Sequence, residues 1–180
     1  IVEALPSILP NEDTDISKIV KLNFEKRGIK IRTNSALKSV SSKENSVLAE
    51  IITNKKVETI NSEKLILAIG IIANTEKLGL KDFNVKIDKG HVVTNEFLET
   101  DEKGVYAIGD ITDGPWLAHK ASHEGILCVE KIAGHQNLKP IDKTSIPGCT
   151  YCRPQVASIG MTETQARSKN PVSYTHLRAH

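Results

Sequence analysis

Asp110 has the surroundings of a ligand site. It ends the run Gly104-Val105-Tyr106-Ala107-Ile108-Gly109-Asp110, whose apolar centre has the length and composition of a buried strand. A glycine followed at once by a carboxylate, at the carboxyl end of a strand, lies where open α/β sheets place their ligands. Such a carboxylate can accept hydrogen bonds from the hydroxyls of a sugar or ribityl chain. Gly114-Pro115 punctuates the loop, and residues 116–134 read as a helix closed by Gly134 at its C′ position. The N–H groups at the start of that helix favour negative charge on a ligand. The same dipeptide also serves as a turn-former with no ligand.

Other residues carry chemistry less specifically. Ile1-Val2-Glu3 reads as a strand end closed by an acid. In dinucleotide-binding units that acid accepts from the adenosine ribose hydroxyls and repels a 2′-phosphate, so a site at Glu3 would prefer NAD. An exposed glutamate at a loop start is the alternative. Leu65-Ile66-Leu67-Ala68-Ile69-Gly70 reads as a second buried strand, ending in a glycine that lets a ligand approach the backbone or merely turns the chain. Cys149-Thr150-Tyr151-Cys152 has the spacing of a redox pair or half a zinc site. A zinc site needs about four ligands, no second pair exists, and the flanking residues read as strands, so these read as structural cysteines. No metal site is expected. His91, beside a turn, reads as solvent-facing, as do His123 and Glu124, while Cys128 reads as a small buried hydrophobe.

The elements that would position these groups follow from patterning. Asn11 or Asp13 can cap a helix over 15–27, with Ile16, Ile19, Val20 and Phe24 at helical spacing and Gly28 as C′. Residues 29–31 alternate as a strand, and antiparallel candidates follow at 36–40, 47–53, 57–60 and 64–68. Asp88-Lys89-Gly90 is a turn. Thr162 caps a short helix with Glu163 and Gln165 in its first turn.

Composition excludes several classes. A net charge of +2 and 4% aromatic residues leave neither an electrostatic footprint nor stacking platforms for nucleic acid. No apolar run approaches the roughly 20 residues needed to cross a bilayer, so no membrane partner is expected. Three cysteines make no disulfide framework, and an intracellular setting is the default expectation. The chain opens on Ile1 without Met. It closes on Pro171-Val172-Ser173-Tyr174-Thr175-His176-Leu177-Arg178-Ala179-His180, whose composition departs from the body and reads as a non-native tail. The chain is expected to be an internal fragment.

Val105-Tyr106-Ala107-Ile108-Gly109-Asp110 followed by Leu117-Ala118-His119-Lys120-Ala121-Ser122-His123-Glu124-Gly125 resembles the second FAD-binding segment of the flavin disulfide reductases. The run Ala118-His119-Lys120-Ala121 is similar to that of their dihydrolipoamide dehydrogenase branch. The resemblance covers roughly residues 1–170. It implies an α/β fold of Rossmann-like FAD/NAD(P)-binding domains plus the start of an α+β dimerisation domain. Residues 1–75 would be the C-terminal part of the NAD domain with its β-meander, 76–143 the returning FAD segment, 144–170 the start of the interface domain, and 171–180 the tail. It implies Asp110, Leu117, Ala118 and His119 at FAD, and Glu3, Leu37 and Gly70 at NAD. Ile71-Ile72-Ala73 replaces the arginine usual after that glycine, which removes an ionic contact to the cofactor.

The implied parent oxidises protein-bound dihydrolipoamide through an enzyme disulfide and FAD, with hydride passing to NAD. It is a homodimer serving the lipoyl domain of a 2-oxo-acid dehydrogenase or glycine-cleavage complex, in the bacterial cytoplasm or, in a eukaryote, the mitochondrial matrix. The catalytic cysteines and the His–Glu pair of the family have no counterpart here, so no catalytic residue is assigned and the isolated 180 residues are expected to turn nothing over. Another flavin disulfide reductase, of the glutathione or mercuric reductase kind, and a non-catalytic nucleotide-binding module are the alternatives.

Overall fold

A computed structural model describes residues 1–169. The tail 171–180, with His176 and His180, lies outside the described residues. The chain divides into two compact units, one formed by Ile1–Ala68 together with the chain from Pro147 onward, the other by Ile69–Ile146. No helix among the described residues is long and apolar enough to cross a membrane.

In the first unit, helix α1 (Thr14–Lys26) begins after Asp13. The Asp13 carboxylate caps no group of its own helix and instead accepts from the Glu163 N–H at 2.8 Å. Val20 packs with Ile8 and Val156, flanked by half-buried Phe24, Ile31 and Cys152. Gly28 terminates the helix in the left-handed region at φ +85°. Its N–H donates to Glu25 O (2.9 Å) and that of Ile29 to Phe24 O (3.0 Å), so two carbonyls at the helix end are satisfied.

Strands β1 (Ser35–Lys43), β2 (Ser46–Thr53) and β3 (Lys56–Ser62) form an antiparallel meander in the order β1-β2-β3. Asn54 and Lys55, both at positive φ (50° and 65°), make the two-residue turn between β2 and β3. Alternate residues of β2 face the same way, and Ala49 and Ile51 are its buried pair. A register shift between Leu37 and Ser39 marks a bulge in β1. Strands β6 (Gly148–Thr150) and β7 (Val156–Ser158) form a short hairpin, and Ser158 Oγ donates to Glu12 at 3.1 Å. Helix α3 (Glu163–Lys169) starts with a reciprocal cap between Thr162 and Gln165, at 3.2 and 3.0 Å.

The second unit holds the hairpin of β4 (Ile87–Asp88) and β5 (His91–Val92), turning at Lys89-Gly90, and helix α2 (Ala118–Ile132). Its core joins Leu98, Leu127 and Cys128, with Tyr106, Leu138 and Ile141 packed against them. Gly134 closes α2 as Gly28 closes α1, with bonds from Gly134 N to Lys131 O and from His135 N to Glu130 O.

Three strand expectations are corrected. Residues 29–31 form no strand, and the neighbouring Arg32 makes only an isolated parallel bridge to Val2. Residues 64–70 form no ladder, and Ile66 and Ile69 are 90% and 88% exposed. Residues 105–108 make only the isolated bridge Glu99↔Tyr106, and Ile108 is exposed. The cause is common: an apolar extended segment is buried only when strands flank it and other elements cover its faces. No described strand pairs with these two.

Ile51 is fully buried, so Ile51→Ala removes its packing without replacing it. The variant is expected to lose about 2–4 kcal/mol in urea-melting experiments; an unchanged midpoint would contradict the burial of β2.

Candidate functional site

The site is built on one turn. The extended segment 105–108 runs into a 3₁₀ turn, Gly109–Ile111, which leads through Thr112, Asp113 and Gly114 to α2. Gly109 has φ +76°, and a Cβ added there would stand 3.3 Å from the Ala121 Cβ. Glycine is needed twice over, for the left-handed backbone and for the close approach of the helix. The Asp110 side chain on this turn is exposed.

Beneath the turn lies an ion pair, Lys120 Nζ to Glu124 Oε1 at 3.0 Å, with side chains only 1% and 6% exposed. The spacing of four residues puts both on the same face of α2. The ammonium also donates to Gly109 O (3.1 Å) and Thr112 Oγ1 (3.0 Å). Its three protons therefore have three acceptors. Glu124 Oε2 accepts from the Gly109 N–H at 2.6 Å. Gly109 O further accepts from Thr112 N (3.0 Å) and Thr112 Oγ1 (2.7 Å). Gly114, at φ +120°, clears the lysine stem, since a Cβ there would lie 3.0 Å from Lys120 Cε. Buried charges at this depth are tolerated because every polar atom is matched.

Around this network, Lys143 Nζ reaches Asp113 Oδ2 at 3.0 Å. That hydrogen bond, and then the ammonium charge, hold the Asp113 carboxyl below its ordinary range. A cleft of about 640 Å³ is lined by His91, Thr112, Asp113, Glu124, Leu127 and Lys143 among others. Asp110, Leu117, Ala118 and His119 do not line it, so the chemistry expected at Asp110 is not the chemistry of this cleft. His91 stands edge-on to Trp116, with ring centroids 6.0 Å apart.

The structure differs from several sequence expectations. Glu124, read as a surface residue, is buried, because its carboxylate turns inward to Gly109 and Lys120. His91, read as solvent-facing, is half-buried beside the indole of Trp116, with Nε2 sealed from solvent and without a hydrogen-bond partner among the described residues. His123 is exposed as expected, and Cys128 is buried, which pushes its thiol up. Cys149 and Cys152 are free thiols, Cys149 exposed and Cys152 packed beside Ile8, Val20 and Val156. Among the described residues no group of three or more His, Cys, Asp or Glu is placed to hold a metal.

The structure brings Asp110, Leu117, Ala118 and His119 onto the same turn and helix start. Leu117 is the N-cap of α2 and supplies no side-chain cap to its first N–H groups. Gly70, at φ +134°, has nothing within 4 Å of a would-be Cβ and belongs to the second unit. Glu3 and the exposed Leu37 of β1 belong to the first unit. Glu3 accepts from the Leu5 N–H at 2.8 Å, which engages Oε1 alone. Sequence reasoning missed Thr112, Lys120 and Glu124 as a unit. The signal was present in Lys-x-x-x-Glu, set six residues after Gly114 and eleven after Gly109.

Residues 1–125 match the family model described as pyridine nucleotide-disulphide oxidoreductase. The chain is 47% identical over 168 residues to a dihydrolipoyl dehydrogenase of Rhizobium etli, covering 93% of this chain and 35% of the relative. To the dihydrolipoyl dehydrogenase of Zymomonas mobilis it is 45% identical over 170 residues, covering 94% and 36%. The chain thus spans about a third of the length of these curated relatives. Among solved structures, LpdA of Mycobacterium tuberculosis superposes with a TM-score of 0.84 at 24% identity, over 93% of this chain and 36% of that one. RclA of Escherichia coli, a flavoprotein disulfide reductase, gives 0.83 at 24%, over 94% and 38%. These two likenesses show the shared α/β fold.

Gly109→Ala must carry a side chain at positive φ against Ala121. It is expected to cost about 1–3 kcal/mol in thermal or chemical melts; a neutral result would contradict the turn geometry. The Asp113–Lys143 clamp has a depressed carboxyl pKa. Its small contribution is therefore complete above the ordinary aspartate pKa and lost as pH falls through the lowered value. Asp113→Asn is expected to flatten stability against pH in that acidic window, and an unaltered profile would contradict the clamp.

Proposed function

The chain belongs to the pyridine nucleotide-disulphide oxidoreductase family, and we propose that it is part of a dihydrolipoyl dehydrogenase. The parent reaction converts a protein-bound dihydrolipoyl dithiol and NAD⁺ into the lipoyl disulfide, NADH and a proton. The observation that carries this reading is identity of 47% across 93% of the chain with a relative bearing that name. The run Ala118-His119-Lys120-Ala121 in the flavin-side helix points the same way.

The residues present fit the cofactors this reaction requires. Asp110 offers an exposed carboxylate on a turn fixed from beneath, suited to accept from ribityl hydroxyls. The first turn of α2, from Leu117 through Ala118 and His119, offers backbone N–H dipoles toward a negative pyrimidine edge. On the NAD side, Glu3 keeps Oε2 for ribose hydroxyls, and Gly70 leaves its backbone open to a ligand. Leu37 takes the nicotinamide side by its family position. A bound flavin supplies the relay between the dithiol and nicotinamide; this chain's part is to orient the two cofactors and exclude an NADP phosphate.

In this reading residues 1–75 belong to the NAD domain, 76–143 to the FAD domain and 144–170 to the interface domain. The parent is a homodimer that meets a lipoyl domain, in the cytoplasm of a bacterium.

The test is to recover the flanking coding sequence, express the complete chain and record its visible spectrum and its lipoamide-dependent NAD reduction. A yellow protein that reduces NAD with dihydrolipoamide is expected. A flavoprotein turning over glutathione disulfide or mercuric ion instead would move it to a sister enzyme, and a colourless product would overturn the flavin reading. Asp110→Ala in the complete chain is expected to weaken FAD binding by about tenfold or more, the value of a charge-assisted hydrogen bond. Unchanged affinity by fluorescence titration would contradict the role of Asp110.

A further inference from the structure

We propose that Lys120 and Glu124 are positioning residues of the flavin site: their buried pair locks the Gly109–Ile111 turn in the conformation that presents Asp110. The proposal rests on the flavin reading of that turn. Lys120 is 1% exposed, and Glu124, at 6%, opens only onto the cleft that Asp110 does not line, so both act on Asp110 through the backbone they hold.

The lock is unusually complete. Gly109 has its N–H engaged by Glu124 Oε2 and its carbonyl engaged by Lys120 Nζ and by both donors of Thr112. Fixing both polar groups of one glycine removes the rotational freedom that glycine otherwise keeps. Asp110 follows immediately, and its carboxylate has no hydrogen-bond partner among the described residues, so the backbone below fixes the Cα–Cβ bond from which the side chain is presented, while its own torsions stay free for a ligand. A buried ion pair contributes little net stability over an apolar pair of the same shape. What it supplies here is geometry: a methionine in place of Lys120 would fill the same tunnel beneath Gly114 yet give Gly109 O and Thr112 Oγ1 no donor.

Three shape-preserving replacements separate the parts. Glu124→Gln keeps an oxygen for the Gly109 N–H but loses the charge facing Lys120. Lys120→Met keeps the stem and loses all three donors. Thr112 sits at the junction, so Thr112→Val removes one acceptor and one donor while preserving shape.

The experiment has two readouts. The first is amide hydrogen exchange in the 180-residue chain, comparing residues 109–112 with residues 126–130 of α2. In Lys120→Met and Glu124→Gln, exchange at 109–112 is expected to rise about tenfold or more, with a smaller rise at 126–130. Equal rises in both segments would mean general destabilisation, and no rise at 109–112 would mean no lock; either overturns the proposal. The second readout is FAD affinity of the complete chain by fluorescence titration. An approximately tenfold weakening in the same variants, with Glu124→Gln milder than Lys120→Met, supports positioning. Loosened exchange with unchanged FAD affinity overturns it while leaving the flavoprotein reading intact. A wild-type complete chain that binds no FAD overturns the flavin reading and, with it, the positioning role, whatever the exchange rates show.

Discussion

The placement of Asp110 depends on a charge pair almost sealed from solvent. Lys120 and Glu124 lie one helical turn apart on α2 and face the segment that enters it. Their ionised groups are tolerated in that position only because Gly109 and Thr112 complete their hydrogen bonding. The constraint propagates outward. It requires glycine at 109 for backbone sign and clearance, glycine at 114 for the lysine stem, and a small residue at 121 beneath the turn. From these the exposed carboxylate of Asp110 acquires a fixed mounting.

Such an arrangement suits a protein that binds a cofactor by its hydroxyls and polar edges. A ligand meeting a pre-set turn loses less entropy on binding than one that must order it. In keeping with this, α2 starts on Leu117, which supplies no side-chain cap. Farther out, the Asp113–Lys143 contact ties the loop to the chain beyond α2 by an exposed, and therefore weak, ion pair. The order of strengths runs from the buried network to the rim.

Local patterns were legible where the cause of structure is local. Helices 1 and 2 follow from apolar spacing and terminating glycines, and both glycines make the bonds that their position demands. The meander follows from strand-forming segments separated by polar turns, and Thr162 with Gln165 from capping chemistry. Legibility failed where the outcome depends on what lies opposite. Residues 64–70 and 105–108 are apolar enough for buried strands, yet no described strand flanks them, and neither forms a ladder beyond the single bridge at Tyr106. Glu124 looked like a surface acid because nothing in a one-dimensional pattern shows that Gly109 returns to it across fifteen residues. His91 could be placed beside a turn, but its burial depends on Trp116, which reaches it from a separate segment. The Gly-Asp turn itself was visible; its mounting was not.

The central claim is that this turn is a flavin cradle held by its own buried pair. Thermal unfolding of the complete chain, with and without excess FAD, tests it directly, because a ligand that binds only the folded state raises the melting temperature by an amount that grows with the logarithm of its concentration over Kd. The account predicts a clear rise for the wild type that shrinks sharply in Asp110→Ala. Equal rises in both proteins would contradict it, placing the flavin on other residues.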